Sequence, residues 1–137
     1  DLALRGIPDI LAYFRLILDA RKTKELNLGF QGFRYFPIEA MYINGLKTLF
    51  VNDNQIKGIP ESLGPLMTSL VHLDLSNNEI DQLPFTLAEL TSLTILNLSG
   101  NTFKNLPPTL GRITSIKELK LANNVLEAPP ADVIDRG

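Results

Sequence analysis

The residues of this chain best suited to chemistry are a histidine, an aspartate and two serines. His72 and Asp74 are two residues apart, Ser76 follows on the same segment, and Ser99 comes 23 residues later. Serine, histidine and a carboxylate are the components of a nucleophilic hydrolase site. On a strand, however, residues i and i+2 project in parallel about 7 Å apart, so Asp74 would not orient the imidazole. Because an open face also offers no oxyanion hole, we predict no catalytic residues and no enzyme activity.

A metal site at His72, Asp74 and Asp53 is also a poor fit, because one imidazole with loosely placed carboxylates does not close a coordination shell. The chain contains no cysteine, so thiolate ligands and disulfide bonds are excluded. No glycine loop of the phosphate-cradling type is present in the sequence. We therefore predict neither a metal nor a cofactor.

These residues belong to a repeated segment. Residues 69–90 contain the pattern L-x-x-L-x-L-x-x-N-x-I-x-x-L-P, and equivalent starts at Leu46, Leu70, Leu93 and Ile116 are 24, 23 and 23 residues apart. Such a period is typical of solenoids, whose units bury their apolar faces only by stacking on neighbours. Each L-x-x-L-x-L run is expected to be a short strand with its third and fifth positions pointing outward. The sequence thus predicts an α/β repeat solenoid with a parallel sheet of short strands on its concave face.

An asparagine follows each regular strand pattern, and a proline comes six residues after it. The chain must turn after the strand, which leaves backbone N–H and C=O groups without strand partners. An amide side chain can both donate to and accept from such groups, so we assign these asparagines a structural role inside the solenoid. This asparagine ladder consists of Asn54, Asn78, Asn101 and Asn124.

The first repeat is degenerate. Leu26 and Leu28 keep the strand positions, but Gln31 replaces the asparagine, and atypical units are common at the ends of repeat arrays. Together with the four later units it predicts a repeat domain of about five repeats at residues 23–137.

Residues 1–22 lie outside the repeat pattern, and from Ile7 onward they predict a helix, with Pro8 suited to its first turn. Its apolar residues are spaced as a broad stripe that we expect to pack on the solenoid, as a capping or connector helix. An amphipathic face for a separate partner is the alternative. The stripe consists of Ile10, Leu11, Phe14, Ile17 and Leu18.

The two ends of the chain are similar to each other. Residues 1–6 (DLALRG) match residues 132–137 (DVIDRG) at a constant offset of 131. We therefore hypothesise that residues 1–22 hold the tail of a preceding repeat followed by the connector helix, in a longer chain of tandem units. Other repeat blocks of that chain would then be partners of this one.

The outward strand positions form two rows across the concave sheet. Phe50 and Ile95 are apolar, are predicted to face solvent without a packing role, and flank His72 and Asp74. An aromatic group beside polar and charged ones is common in interface hot spots, although incidental surface is the alternative. The predicted partner-binding residues are Asn27, Thr48, Phe50, His72, Asp74, Ile95, Asn97, Glu118 and Lys120.

Composition restricts the class of protein. The 137 residues are 45% hydrophobic and 20% charged with a net charge of −2, as in a soluble globular protein. The chain has no broad basic field, so nucleic acid is not a predicted partner. No apolar run approaches the ~20 residues that would span a bilayer.

The run L-P-x-x-L-x-x-L before each next strand, as in Leu83, Pro84, Leu87 and Leu90, resembles the typical intracellular leucine-rich repeats. Plant Ras-group repeat proteins, Scribble-type scaffolds and the repeat segments of Roco GTPases contain such units. The resemblance covers about residues 26–133 and implies a horseshoe fold and a protein-interaction module that uses its concave face. Because secreted members usually carry cysteine-rich caps, it also implies an intracellular, cytoplasmic location.

We therefore predict a protein-protein interaction module or scaffold that binds another protein on its concave face. The alternative function is a regulatory or spacer segment of a larger signalling enzyme, such as a GTPase or kinase. A third possibility, a subunit buried in a large assembly, would require apolar patches on the convex face, of which the repeat pattern gives little sign.

Overall fold

The computed structural model describes residues 6–127, which form a helix followed by five stacked repeats. Helix α1 spans Ile7–Thr23. The five strands form one parallel sheet in the order of the sequence, as predicted for an α/β solenoid. They are β1 (Glu25–Asn27), β2 (Thr48–Phe50), β3 (His72–Asp74), β4 (Ile95–Asn97) and β5 (Glu118–Lys120). The match between residues 1–6 and 132–137 lies outside the described residues, except for Gly6.

Each strand has three residues, of which the central leucine enters the core and the outer two lie on the concave face. Leu49, Leu73 and Leu96 have no exposed surface, because a repeat stacks on each side of them. Leu119 of β5 is only half-buried. Burial of these leucines supplies the apolar contact that a single repeat could not make alone.

The convex side is built from short turns that begin after the repeated proline. In three repeats these are 3₁₀ turns at Ile38–Tyr42, Phe85–Glu89 and Pro108–Arg112. The second repeat instead has one α-helical turn, α2 (Leu63–Leu66), in which the Met67 N–H donates to the Leu63 carbonyl at 2.9 Å. This turn lies in the 24-residue repeat and accommodates its additional residue.

Helix α1 packs on the first repeat through a different stripe from the one predicted. Tyr13, Ile17 and Ala20 are buried, and the Tyr13 ring meets Phe33 edge to face at 5.8 Å between centroids. Of the predicted stripe, Ile17 is buried and Ile10 half-buried, whereas Leu11, Phe14 and Leu18 are exposed. The predicted orientation of the helix about its own axis was wrong. The apolar residues form a broad arc around the helix, and the first repeat covers only one edge of that arc.

Helix α1 ends at a residue in the left-handed conformation. Lys24 has φ 63°, and its N–H donates to the Ala20 carbonyl at 2.8 Å. The Lys24 carbonyl accepts the N–H groups of Lys47 and Thr48, so the helix end is attached to the second repeat. Between residues 6 and 127 no helix combines the length and apolar character needed to cross a membrane.

Candidate binding face

The strand pairing places equivalent outward residues of successive repeats side by side. Thr48 pairs with His72, and His72 with Ile95. Phe50 pairs with Asp74, and Asp74 with Asn97. Two complete rows therefore cross the concave face: Glu25, Thr48, His72, Ile95 and Glu118 in the first, and Asn27, Phe50, Asp74, Asn97 and Lys120 in the second.

Phe50 and His72 form the aromatic centre of this face. Their rings meet edge to face, with centroids 4.8 Å apart and an interplanar angle of 81°. Both side chains are half-buried, as is Ile95 on the neighbouring strand. The expectation that Phe50 has no packing role was wrong, because His72 on the adjacent strand reaches across to its ring. The two rings therefore form a half-exposed pair, with the half-buried Ile95 on the strand next to His72.

Three residues of the second row support the turn that follows their own strand. The Asn27 Oδ1 accepts the Gly29 N–H at 3.0 Å, and the same bond joins Asn97 to Ser99 at 3.1 Å. In the third repeat the Asp74 Oδ1 accepts the Ser76 N–H at 2.9 Å. Such local bonds to a backbone group two residues on are typical of Asn and Asp. Sequence reasoning missed them, although an Asn or Asp two residues before a glycine or serine was a usable signal.

Phe50 occupies the position that this local bond uses in the first, third and fourth repeats. A phenyl ring cannot accept the N–H of the turn, so Phe50 does not contribute to the backbone in this way. Its ring instead meets the imidazole of His72 edge to face. The second repeat therefore replaces a turn-supporting side chain with an aromatic surface.

A shallow groove lies at the N-terminal end of the concave face, with a volume of about 450 Å³. Phe50 and His72 form one wall, and Thr23, Glu25, Leu26, Asn27 and Thr48 form the rest. At the opposite end, Lys120 and Glu118 are paired at 3.4 Å, and both side chains are about half exposed. An exposed pair of this kind contributes little to stability, so both charges are accessible to a partner.

The geometry does not assemble a hydrolase site. The Ser76 hydroxyl is buried and donates to the Asp74 carboxylate at 2.6 Å. The imidazole of His72 faces Phe50. Asp74 therefore supports its own turn and does not orient the histidine. Within the described residues, no three His, Cys, Asp or Glu side chains are grouped to hold a metal ion.

The ladder asparagines lie beneath the turns on the inner side of the sheet. Asn54, Asn78 and Asn101 have between 6% and 8% of their surface exposed. Each amide nitrogen donates to three backbone carbonyls, one of them in the preceding repeat. Asn124 makes the same set of bonds from a half-buried position. These side chains join adjacent repeats and are not available to a ligand.

Comparison with known proteins supports the repeat assignment. The family model described as leucine rich repeat matches residues 44–103. A probable serine/threonine-protein kinase of Dictyostelium discoideum is 33% identical over 67 residues, which is 49% of this chain and 5% of that protein. The probable kinase roco9 of the same organism is 40% identical over 76 residues, or 53% of this chain and 2% of that protein. The chain spans only a small fraction of these relatives.

Solved structures share the architecture. A leucine-rich repeat protein of Leptospira interrogans aligns with a TM-score of 0.68 and 25% identity, over 74% of this chain and 26% of that one. A chain of the BIR3–SERK2 complex from Arabidopsis thaliana aligns with a TM-score of 0.60 and 29% identity, over 65% of this chain and 49% of that one. The second of these is a complex between proteins.

Proposed function

We propose, from the premise that the chain belongs to the leucine-rich repeat family, that it is a protein-interaction module that binds a partner protein on its concave face. The observation that carries this proposal is the edge-to-face pair of Phe50 and His72. Both rings remain partly exposed on the concave sheet, and Phe50 is at the position where three other repeats have a turn-supporting Asn or Asp.

The energetic reason is that binding energy concentrates where apolar and aromatic groups can be desolvated at little entropic cost. Phe50 and His72 already pack against each other, so we expect these two side chains to lose little rotational freedom when a partner covers them. Ile95 adds apolar surface on the strand next to His72, and on the other side lies the groove, whose lining combines Phe50 and His72 with the polar Thr23, Glu25, Asn27 and Thr48. We expect the partner to cover Phe50 with an apolar side chain and to place polar groups in the groove, with a hydrogen-bond donor near the second carboxylate oxygen of Asp74.

The alternative proposal is a regulatory or spacer segment within a larger signalling enzyme. It is favoured by the similarity to two Dictyostelium discoideum kinases, in which the matched segment is a small part of each protein. In that case the concave face would bind another part of the same protein. An intracellular, cytoplasmic location belongs to both proposals.

The test is capture of binding proteins on the immobilised chain, in its native form and as Phe50→Glu. Phe85→Glu is a matched control, because Phe85 is 68% exposed and lies in a convex turn. We expect at least one protein to be retained by the native chain and the control and to be lost, by tenfold or more, with Phe50→Glu. Equal retention by all three forms would overturn the proposal for this face, provided that their melting temperatures are similar.

The full-length protein separates the two proposals. If the concave face binds another segment of the same polypeptide, the isolated 137-residue chain should associate with that segment when the two are mixed as separate molecules. Phe50→Glu should weaken that association. If it binds a separate protein, Phe50→Glu in the full-length chain should release that protein without changing the internal contacts.

A further inference from the structure

A second groove lies between the first and second repeats, on the flank of the solenoid that leads from the turn after each strand to the convex side. Its volume is about 800 Å³. Sites for small ligands span roughly 300 to 1,000 Å³, so this space can hold at least one side chain of a partner. Its apolar lining consists of Tyr35, Phe36 and Ile38 from the first repeat and Ile59 and Pro60 from the second. We call this space the flank groove.

Both walls of the flank groove belong to repeats that are packed on each side. Helix α1 covers the far side of the first repeat, where Tyr13 meets Phe33. The third repeat covers the second through the pairing of β2 with β3. The flank groove therefore lies within the array and does not depend on either end of the chain.

The flank groove is open because Gly58 has no side chain. The equivalent residues of the third and fourth repeats are Gln82 and Asn105. Gly58 does not have a positive φ, and a Cβ built on it would meet no described atom within 4 Å, so the local backbone does not require glycine. A longer side chain at this position would enter the groove beside Tyr35, which is 80% exposed.

The charges in the flank groove differ in sign from the charge of the whole chain. Its lining contains the basic Arg34 and Lys57 and the acidic Glu79, a net charge of +1, whereas the chain has a net charge of −2. Arg34 and Lys57 occupy the same position in successive repeats, so stacking brings them side by side, and both are exposed. A guanidinium and an ammonium group beside apolar surface are suited to carboxylates that belong to an apolar segment.

A groove at the equivalent place between the third and fourth repeats provides an internal comparison. It is smaller, about 550 Å³, and Asn105 takes the place of the glycine. Asp81 and Lys104 take the places of the two basic residues, and their charges cancel. The larger volume and the positive charge are therefore specific features of the flank groove and do not follow from the repeat pattern.

We propose that the flank groove binds a segment of another protein in which an apolar side chain lies between carboxylates. The apolar side chain packs between Tyr35 and Pro60, and the carboxylates pair with Arg34 and Lys57. Tyr and Arg are among the residue types that contribute most to interfaces. A dianionic phosphate would meet more repulsion from Glu79 than a single carboxylate does, so the charges favour an acidic segment.

This site goes beyond the one proposed on the concave face. The flank groove shares no lining residue with the groove beside Phe50 and His72. A partner can therefore occupy either site without the other.

Titration of the isotope-labelled chain, followed by NMR, tests the proposal. The probe is a capped synthetic peptide with one leucine between two pairs of glutamates, and the comparison peptides have glutamine or lysine in place of glutamate. We expect the glutamate peptide to shift the amide signals of Tyr35, Lys57 and Gly58, with a Kd of roughly 0.1 to 1 mM, because a short flexible ligand binds weakly. The glutamine peptide should bind about fivefold more weakly, and the lysine peptide should not bind.

Variants of the chain test the two features that distinguish the groove. Gly58→Gln fills it and should weaken binding by about fivefold or more. Gly111→Gln is the matched control, because a Cβ at Gly111 also meets no described atom within 4 Å. Lys57→Glu should weaken binding by about tenfold, whereas Lys104→Glu, at the equivalent position of the fourth repeat, should not. Glu79→Gln removes the repulsive charge and should strengthen binding by about twofold.

The proposal is overturned if the glutamate peptide does not bind, if it binds no better than the lysine peptide, or if its signal shifts are confined to Phe50 and His72 on the concave face. It is also overturned if folded Gly58→Gln binds like the native chain. Circular dichroism and thermal melting check that each variant folds. Should Gly58→Gln fail to fold, the comparison of Lys57→Glu with Lys104→Glu decides, and equal binding by these two variants would reject the flank groove.

Discussion

The side-chain nitrogen of Asn78 lies 3.0 Å from the carbonyl oxygen of Val51, one repeat earlier in the chain. The same carbonyl also accepts a bond from Asn54, so neighbouring ladder residues share an acceptor. The Asn78 Oδ1 in turn accepts the buried N–H of Ile56 at 3.1 Å. Each ladder asparagine thus supports the turn of its own repeat and the backbone of the one before.

Replacing Asn78 with alanine is expected to destabilise the solenoid by about 1 to 3 kcal/mol. The Val51 and Leu75 carbonyls keep bonds from Asn54 and Asn101, whereas the buried Ile56 N–H loses its acceptor. Urea unfolding measures the difference. Asn124→Ala is the matched control and should cost less, because Asn124 is half-buried and water can replace it. Equal losses at both positions would contradict this account.

Gly64→Ala is expected to destabilise the protein by about 1 to 3 kcal/mol, as in other overpacked sites. A Cβ at Gly64 would overlap the carbonyl oxygen of Thr86 in the next repeat, and backbone cannot move aside as a flexible side chain can. Gly111 has the equivalent place four residues after the repeat proline, and a Cβ there meets no described atom within 4 Å. Thermal melting should therefore show a large decrease for Gly64→Ala and none for Gly111→Ala.

Phe30→Asn is expected to stabilise the protein by roughly 1 kcal/mol. Phe30 has φ 57° and is 77% exposed, so a bulky residue occupies a left-handed position without burying its ring. The equivalent residues Asp53, Asn77 and Asn123 have φ between 55° and 58°, and Asn and Asp accept this conformation most readily after glycine. Phe85→Asn, at an exposed position in a 3₁₀ turn, is the control. Chemical denaturation should show a higher free energy of unfolding for Phe30→Asn and no increase for Phe85→Asn.

The native chain is expected to lose stability at high pH, and Tyr13→Phe is expected to lose less. Burial, the hydrogen bond of 2.9 Å from the hydroxyl to Glu39, and the negative charge of Glu39 all raise the pKa of Tyr13 above its ordinary value. Above about pH 10 the unfolded chain therefore loses this proton while the folded chain keeps it. Stability supplied by Tyr13 is complete below that pH and falls by about 1.4 kcal/mol per pH unit above it.

Urea unfolding at pH 8 and at pH 10.5 to 11.5 measures this effect. The quantity compared is the free energy of unfolding of the native chain minus that of the Tyr13→Phe variant. At pH 8 the variant should be less stable, because it lacks the bond to Glu39. The difference should shrink as pH rises, since only the native chain has the buried hydroxyl. Tyr42→Phe controls for exposed phenols, because Tyr42 is 70% exposed. A constant difference over the whole pH range would contradict the prediction.

The strand positions could be predicted from the sequence because they depend on contacts that recur in every repeat. Leu49, Leu73 and Leu96 meet equivalent leucines on both sides, so a one-dimensional period is sufficient to place them. The same logic does not extend to α1, which occurs once and packs on a single neighbour. Its apolar residues cover more than half of the helix circumference, and the sequence does not show which part the first repeat will cover.

Within the candidate site, sequence reasoning placed the outward rows but did not separate their roles. Asn27, Asp74 and Asn97 were grouped with Phe50 as binding residues, yet their oxygens support the adjacent turns. The relevant partners are backbone N–H groups, which every residue type except proline supplies. For that reason outward position alone does not distinguish a surface side chain from one that holds its own turn, and only the residue type, Asn or Asp, gives a signal.

The sequence by itself determined the repeat period, the parallel sheet and the faces of the strand residues, because each follows from apolar burial repeated about every 23 residues. Only the tertiary structure decided that α1 docks through Tyr13, Ile17 and Ala20, and that Phe50 packs on His72. It also decided that Gly64 lies against the Thr86 carbonyl. These contacts depend on the rotation of one element against another and on distances between adjacent repeats, which a periodic pattern along the chain does not contain.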